Sequence, residues 1–334
     1  MPRFKEKPNA AQLYQGLKAG KLSSLSRAIT LVESRLPDHQ DSAAQLLARC
    51  AEDEGQAFRL GITGSPGVGK STFIEAFGLF LIGQGYRLGV LSIDPSSTVT
   101  GGSILGDKTR MQRLSVHPNA FVRPSPAGDT GGGVNWRTRE AIVLLEAWGV
   151  DFVIVETVGV GQSETLAHKM VDFFLLLQLA GAGDQLQGIK RGIVELADGI
   201  LITKADGDNI ARAKRSVHEF KSALHLLAPP QSGWLPFVDH CSAQTGDGLE
   251  RLYAQLKRYQ SALQANAWWQ RRRATQRLQW FEDRLQEAAR RVFFQSIEKQ
   301  QQTSLAELRR QVQAGELSPV QAVNHLLKAV EAEP

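Results

Sequence analysis

Between about residue 57 and residue 258 the chain alternates short, almost uninterrupted apolar runs with longer segments of three-to-four spacing. Short continuous runs of this kind read as strands covered on both faces, and the segments between them as helices. The alternation therefore predicts an α/β fold with a mostly parallel sheet flanked by helices. The predicted strands are Phe58–Thr63, Arg87–Ile93, Ala120–Arg123, Asp151–Glu156, Phe173–Gln178, Gly199–Thr203 and Leu235–Cys241. Residues 1 to about 50 predict helices, with Ile29, Val32 and Leu36 on one face after a Ser23-Ser24 start signal, and Ala43 to Leu47 on another. Beyond about residue 250 the pattern is purely helical and rich in Gln, Arg, Glu and Ala. There Leu278, Phe281, Leu285, Ala288 and Val292 form a seam of about two heptads, which suits packing onto the core as well as pairing with a second copy. A final helix pair, Ser304–Ala314 and Ser318–Glu331, is separated by Gly315-Glu316, and Pro319 opens its second member. The expected organisation is an N-terminal helical extension over 1–56, a core domain over 57–258 and a C-terminal helical arm over 259–334.

The first predicted strand runs into Gly64-Ser65-Pro66-Gly67-Val68-Gly69-Lys70-Ser71-Thr72, and a helix-forming segment follows. Strand, glycine loop and helix in that order form the phosphate-binding loop of a P-loop nucleotide triphosphatase. The glycines let successive backbone N–H groups turn inward at a helix N-terminus and cradle phosphate oxygens. Lys70 is expected to reach the β- and γ-phosphates, and the Ser71 hydroxyl to be a ligand of Mg²⁺.

The strand Asp151–Glu156 ends in an acid, with Gly159 three residues later. Ligands bind at strand C-termini in open α/β sheets, so Glu156 is placed to help hold Mg²⁺, directly or through water. The Gly159 N–H would approach the γ-phosphate, and the loop through Glu164 would order with the triphosphate and relax on hydrolysis. Asp94, after the second strand, and Asp107 add carboxylates on the same sheet edge, and either could position the attacking water or a Mg²⁺-bound water. Thr203-Lys204-Ala205-Asp206 follows another strand and resembles the element with which GTPases read guanine. The Asp206 carboxylate accepts from guanine N1–H and the exocyclic amine, a donor pair that adenine lacks. The Lys204 stem would lie along the base. Thr203 stands where asparagine is usual, which predicts that a side-chain amide tie across the pocket is missing. Ser242-Ala243-Gln244 ends the last strand and resembles the element whose backbone N–H meets guanine O6. GTP is the expected nucleotide.

Composition narrows the remaining classes. The chain has 334 residues, 42% hydrophobic and 22% charged, ordinary for a globular protein. No apolar run approaches a membrane span, and the N-terminus lacks a signal-peptide core, so a cytoplasmic protein without membrane association is expected. Two cysteines, Cys50 and Cys241, are too few for a disulfide framework or a metal cluster. A net charge of +5 is modest, and Arg271-Arg272-Arg273 reads as a solvated helix face rather than a nucleic-acid footprint. The glycine-rich piece Gly128 to Gly133 reads as a loop beside the site.

With these residues in place the chain resembles the MeaB/ArgK family of GTPases associated with methylmalonyl-CoA mutase. The matching segments are Gly64–Ser71, Asp94–Ser97, Thr100–Met111, Val155–Glu164 and Gly183–Lys190. The resemblance implies a G domain of the signal-recognition/MinD-like class with helical extensions, and homodimerisation through the C-terminal arm. It implies a GTP-hydrolysing chaperone that gates adenosylcobalamin delivery to a cobalamin-dependent acyl-CoA mutase and helps exclude damaged cofactor. It puts Asp94, Asp107 and Glu156 on the family's Mg²⁺-side acids, and Asp184 and Lys190 on a third switch loop. The chain carries no Asp-x-His-x-x-Gly cobalamin signature, so the cofactor is expected on the partner. An ATP-using kinase linked to amino-acid transport and a metallochaperone GTPase are the alternatives; the first would need adenine selectivity, the second Cys/His ligand clusters.

Overall fold

A computed structural model describes residues 9–34, 36–52, 55–93, 111–123, 133–157, 163–181, 191–225, 228–300 and 302–331. Among the described residues seven strands, β1 (Phe58–Gly64), β2 (Leu88–Ile93), β3 (Ala120–Arg123), β4 (Phe152–Thr157), β5 (Phe173–Leu179), β6 (Gly199–Thr203) and β7 (Phe237–His240), form one sheet. Its order is β3-β2-β4-β1-β5-β6-β7, and every pairing is parallel. All seven predicted strands are present, each within two residues of its expected ends; the last loses Leu235 and Pro236 at its start and Cys241 at its end. Because parallel strands are covered on both faces, β2, β4 and β6 are buried along their whole length.

Alternate side chains of each strand enter different cores. On one face Leu60, Ile62, Val90, Ile154, Leu175 and Leu177 pack with helix Lys70–Gly83 and with Leu252, Leu256 and Tyr259 of helix Leu249–Ala265. On the other, Leu91, Val153, Val155 and Phe174 meet helix Gly133–Trp148 and the N-terminal helices Ala10–Lys18, Leu22–Val32 and Pro37–Glu52. A third cluster joins Ile200, Ile202 and Val238 to Ala213, Val217 and Phe220 of helix Ile210–Leu224.

The N-terminal helices depart from the sequence reading in two respects. Helix Leu22–Val32 begins one residue after Lys21, and no side chain caps it, so Ser23-Ser24 is not its cap. Ser24 lies instead against Gly16 of the preceding helix, where an added Cβ would fall 2.0 Å from its Oγ. Leu36 does not share the face of Ile29 and Val32, because the helix stops at Val32; Leu36 is exposed while the other two are buried.

The arginine triplet is also not a solvated face. Arg271 is exposed and lies over Trp268, but Arg272 and Arg273 are largely buried at the root of helix Trp268–Gln300. Arg273 holds both Asp172 carboxylate oxygens, at 2.9 and 2.6 Å, and donates to the carbonyls of Gly55 and Ala57. Arg272 pairs with Asp198 at 3.3 Å and donates to Tyr259 at 2.9 Å. The three-to-four spacing that places one arginine in water turns its two neighbours toward the acids preceding β5 and β6.

The chain divides into two compact units, residues 1–276 and 277–334, with the boundary inside helix Trp268–Gln300. In the second unit the helices Gln302–Gln313 and Pro319–Glu331 pack together. Ser318 caps the latter reciprocally: its hydroxyl accepts from the Gln321 N–H, and the Gln321 side chain accepts from the Ser318 N–H. Leu278, Phe281, Leu285 and Val292 are exposed.

Candidate nucleotide-binding site

The strand order reverses its direction of travel at the centre of the sheet, where β1 lies between β4 and β5. Chain segments leaving the C-terminal ends of such strands part company and leave a crevice. The loop from Gly64 to Gly69 fills that crevice. A Cβ on Gly64 would stand 2.6 Å from the Leu177 carbonyl oxygen of β5, so only glycine lets the loop leave the strand this close to its neighbour. Gly69, with φ +95°, precedes helix Lys70–Gly83, and no side chain caps that N-terminus. Its first N–H groups face the loop, as an anion site requires. Lys70 Nζ donates to the Gly64 carbonyl at 2.7 Å, which lays the ammonium across the loop. Pro66, Gly67 and Thr72 are exposed, Ser65 is half-buried and Val68 is fully buried.

A further strand, β4, brings an acid and a hydroxyl beside the loop. Ser71 Oγ donates to Glu156 Oε1 at 3.3 Å, both residues buried. Thr157 donates to Thr63 at 2.9 Å and ties the ends of β4 and β1. A hydroxyl and a carboxylate oxygen are the hard donors that Mg²⁺ takes, so the pair fits the ion expected there.

From the other side, β6 ends at Thr203, whose hydroxyl reaches the Val68 carbonyl at 2.7 Å and the Gln178 carbonyl at 3.2 Å. Threonine has no side-chain amide to tie the pocket, and it makes a different tie to the phosphate loop with its hydroxyl. Lys204 follows in the left-handed region, φ +56°, and its carbonyl accepts from Asn209 at 2.6 Å. Strain of this kind persists where neighbours over-determine it. The Lys204 stem passes Gly69, and its ammonium donates to the Gly67 carbonyl at 2.9 Å. The Asp206 carboxylate accepts from Ser242 Oγ at 2.6 Å, and that oxygen in turn accepts from the Gln244 and Thr245 N–H groups. Burial pushes the neighbouring Cys241 thiol up to about 12, with the nearby Asp239 adding to the effect, so it stays protonated and unreactive.

Segments 64–72, 156, 203–206 and 242–244 thus converge on one sheet edge. Asp94, Asp107, Gly159, Asp184 and Lys190 lie outside the described residues, as does 128–132; from Gly133 the chain is helical. The sequence reading missed Asn209 and Thr157, which brace the site through contacts that no local pattern announces.

A central β1 carrying a phosphate loop, within a parallel seven-stranded sheet flanked by helices, is the architecture of a P-loop GTPase. The family model described as methylmalonyl Co-A mutase-associated GTPase MeaB matches residues 25–298, and the chain belongs to that family. A probable GTPase of Mycobacterium tuberculosis is 49% identical over 95% of this chain and 94% of its own. The mouse mitochondrial methylmalonic aciduria type A homolog is 44% identical over 98% of this chain and 81% of its own. The crystal structure of a LAO/AO transport system kinase superposes with a TM-score of 0.74 at 36% identity, covering 99% of this chain and 100% of that one. Among the described residues no helix is long and apolar enough to cross a membrane.

Proposed function

We propose that this GTPase is a chaperone of a cobalamin-dependent acyl-CoA mutase of the methylmalonyl-CoA mutase type, gating adenosylcobalamin loading and protecting the loaded enzyme. The observation that carries the reading is the family match, whose description names association with that mutase. The name of the mouse relative points to the same metabolism.

In this reading the N–H groups of Ser65 and of Gly67 to Thr72 hold the phosphates, and Lys70 swings from the Gly64 carbonyl onto the β- and γ-oxygens. Ser71 and Glu156 would hold Mg²⁺, which neutralises charge building on the phosphates. Asp94 and Asp107 are the acids proposed to position the water or complete the ion's shell. Asp206, already aligned by Ser242, accepts from guanine N1–H and its amine; the backbone around Ala243 and Gln244 meets O6; Lys204 lies along the ring. Hydrolysis would release the segment around Gly159 and, through Asp184 and Lys190, report to the mutase. The exposed face Leu278, Phe281, Leu285 and Val292 supports homodimerisation through the arm over 259–334. Two free cysteines fit a reducing compartment, and a cytoplasmic location is part of the proposal.

The likeness to the LAO/AO transport system kinase, at 36% identity, favours a second reading, a kinase serving amino-acid transport. GTP and ATP hydrolysis, each with and without adenosylcobalamin-dependent methylmalonyl-CoA mutase, separates the two. GTP-selective turnover that rises with the mutase is expected. Equal use of ATP, or indifference to the mutase, would overturn the chaperone reading.

A further inference from the structure

Helix Leu249–Ala265 starts at Gly248 with no side-chain cap, and Arg251 sits in its first turn. A cation there opposes the helix dipole, so something else must favour it. The guanidinium makes four hydrogen bonds at the mouth of the loop that leaves β7. Its Nε donates to Asp239 Oδ2 at 3.1 Å, and its two Nη groups reach Asp247 Oδ1 and Oδ2 at 3.1 and 3.3 Å. A fourth bond runs from Nη2 to the His240 carbonyl at 3.1 Å. One side chain therefore clips the end of the strand to the far end of the loop, and it holds the Asp247 carboxyl below the usual carboxylate range.

The clip has a defined recipient. The Asp247 carbonyl accepts from the Ser242 N–H at 2.9 Å, and the Gly246 N–H donates to the Ser242 carbonyl at 2.9 Å. Ser242, fully buried, then donates its hydroxyl to Asp206 at 2.6 Å. The loop has little freedom on its other flank, because a Cβ on Gly248 would lie 2.4 Å from the His240 carbonyl.

We propose that Arg251 is a specificity-determining positioning residue: through Asp247 and Ser242 it sets the Asp206 carboxylate in the orientation that reads the guanine base. The proposal rests on the base-reading assignment of Asp206 made above. The hydrogen bonds of the Arg251 side chain go to Asp239, His240 and Asp247 and none to the phosphate loop, so its effect falls on selectivity rather than on phosphate binding.

The test is equilibrium titration of the full chain with GDP and with ADP, using wild type, Arg251→Met, Asp247→Asn and the double variant. Both side chains are about half exposed, so each single variant is expected to fold with an unchanged melting midpoint. GDP affinity should fall about fivefold in each single variant, the scale of a partly exposed ion-pair network, while ADP affinity stays the same. The double variant should lose no more GDP affinity than either single variant, because the two residues act in one chain of contacts. An unchanged GDP affinity in Arg251→Met overturns the proposal. A proportional loss of GDP and ADP affinity overturns it too, by reducing Arg251 to general support of the fold. A wild type without preference for GDP over ADP sinks the base-reading assignment itself, whatever Arg251 does.

Discussion

The Thr203 hydroxyl has one hydrogen and two carbonyl oxygens in range, Val68 at 2.7 Å and Gln178 at 3.2 Å, in a buried setting. Valine has nearly the same shape and no donor. Thr203→Val should therefore cost about 1–3 kcal/mol, the penalty for leaving a buried carbonyl unsatisfied. Val68 belongs to the phosphate loop, so guanine-nucleotide affinity should weaken along with stability. Urea denaturation and a GDP titration check both, and no change in either would show that the tie is idle. Asp206 supports a sharper expectation. An amide in its place offers a donor where xanthine presents O2, so Asp206→Asn should move preference from GTP toward XTP in a competition assay. A variant still selective for GTP would remove Asp206 from base reading. Both residues were legible as a motif, since contiguous Thr-Lys-Ala-Asp behind an apolar strand is a local pattern. The partners of Thr203 were not, because Val68 lies 135 residues away and is brought near only by the sheet.

At the scale of elements, the root of helix Trp268–Gln300 gives the clearest energetic contrast. Arg273 neutralises Asp172, whose side chain is 2% exposed, and also satisfies two backbone carbonyls. Removing one partner of such a pair strands the other charge out of water, so Arg273→Ala should destabilise the first unit by about 3–5 kcal/mol. Arg271→Ala, close by in the same helix but exposed, should change stability by less than about 1 kcal/mol. Denaturant midpoints of the two variants measure the difference, and similar values would return the triplet to the solvated face that periodicity suggested. Helical spacing alone does not say which side of a polar helix meets a buried acid. That choice depends on Asp172 and Asp198 standing at the N-terminal ends of β5 and β6, which local sequence around Arg272 does not encode.

For the whole molecule, pH dependence follows from one histidine. His168 stands edge-on to Phe174, and burial, assisted by Arg272 and Lys169, lowers its value from 6.5 to about 4. Unfolded, it takes up a proton near 6.5; folded, it does not until about 4, so the unfolded chain binds more protons in between. Stability contributed by this residue is intact above the upper value and is lost as pH falls through that window, by up to about 3 kcal/mol and less in proportion to its partial exposure. His168→Gln should flatten the urea stability difference between about pH 7 and about pH 4.5. An equally steep profile in the variant would assign the acid sensitivity elsewhere.

The seven strands, their alternation with helices, the phosphate loop and the segments Thr203–Asp206 and Ser242–Gln244 were legible in the amino-acid sequence alone. Each of these is written in contiguous residues, as an apolar run, a three-to-four spacing or a glycine pattern, and needs no distant partner to be read. The Thr203 tie to the phosphate loop, the burial of Arg272 and Arg273, the exposure of Leu36 and the clip made by Arg251 arise from folding and had no local signal. Those features depend on which residues of remote segments meet once β1 is seated between β4 and β5, and a hydrogen bond or buried ion pair exists only when both of its ends have been brought together.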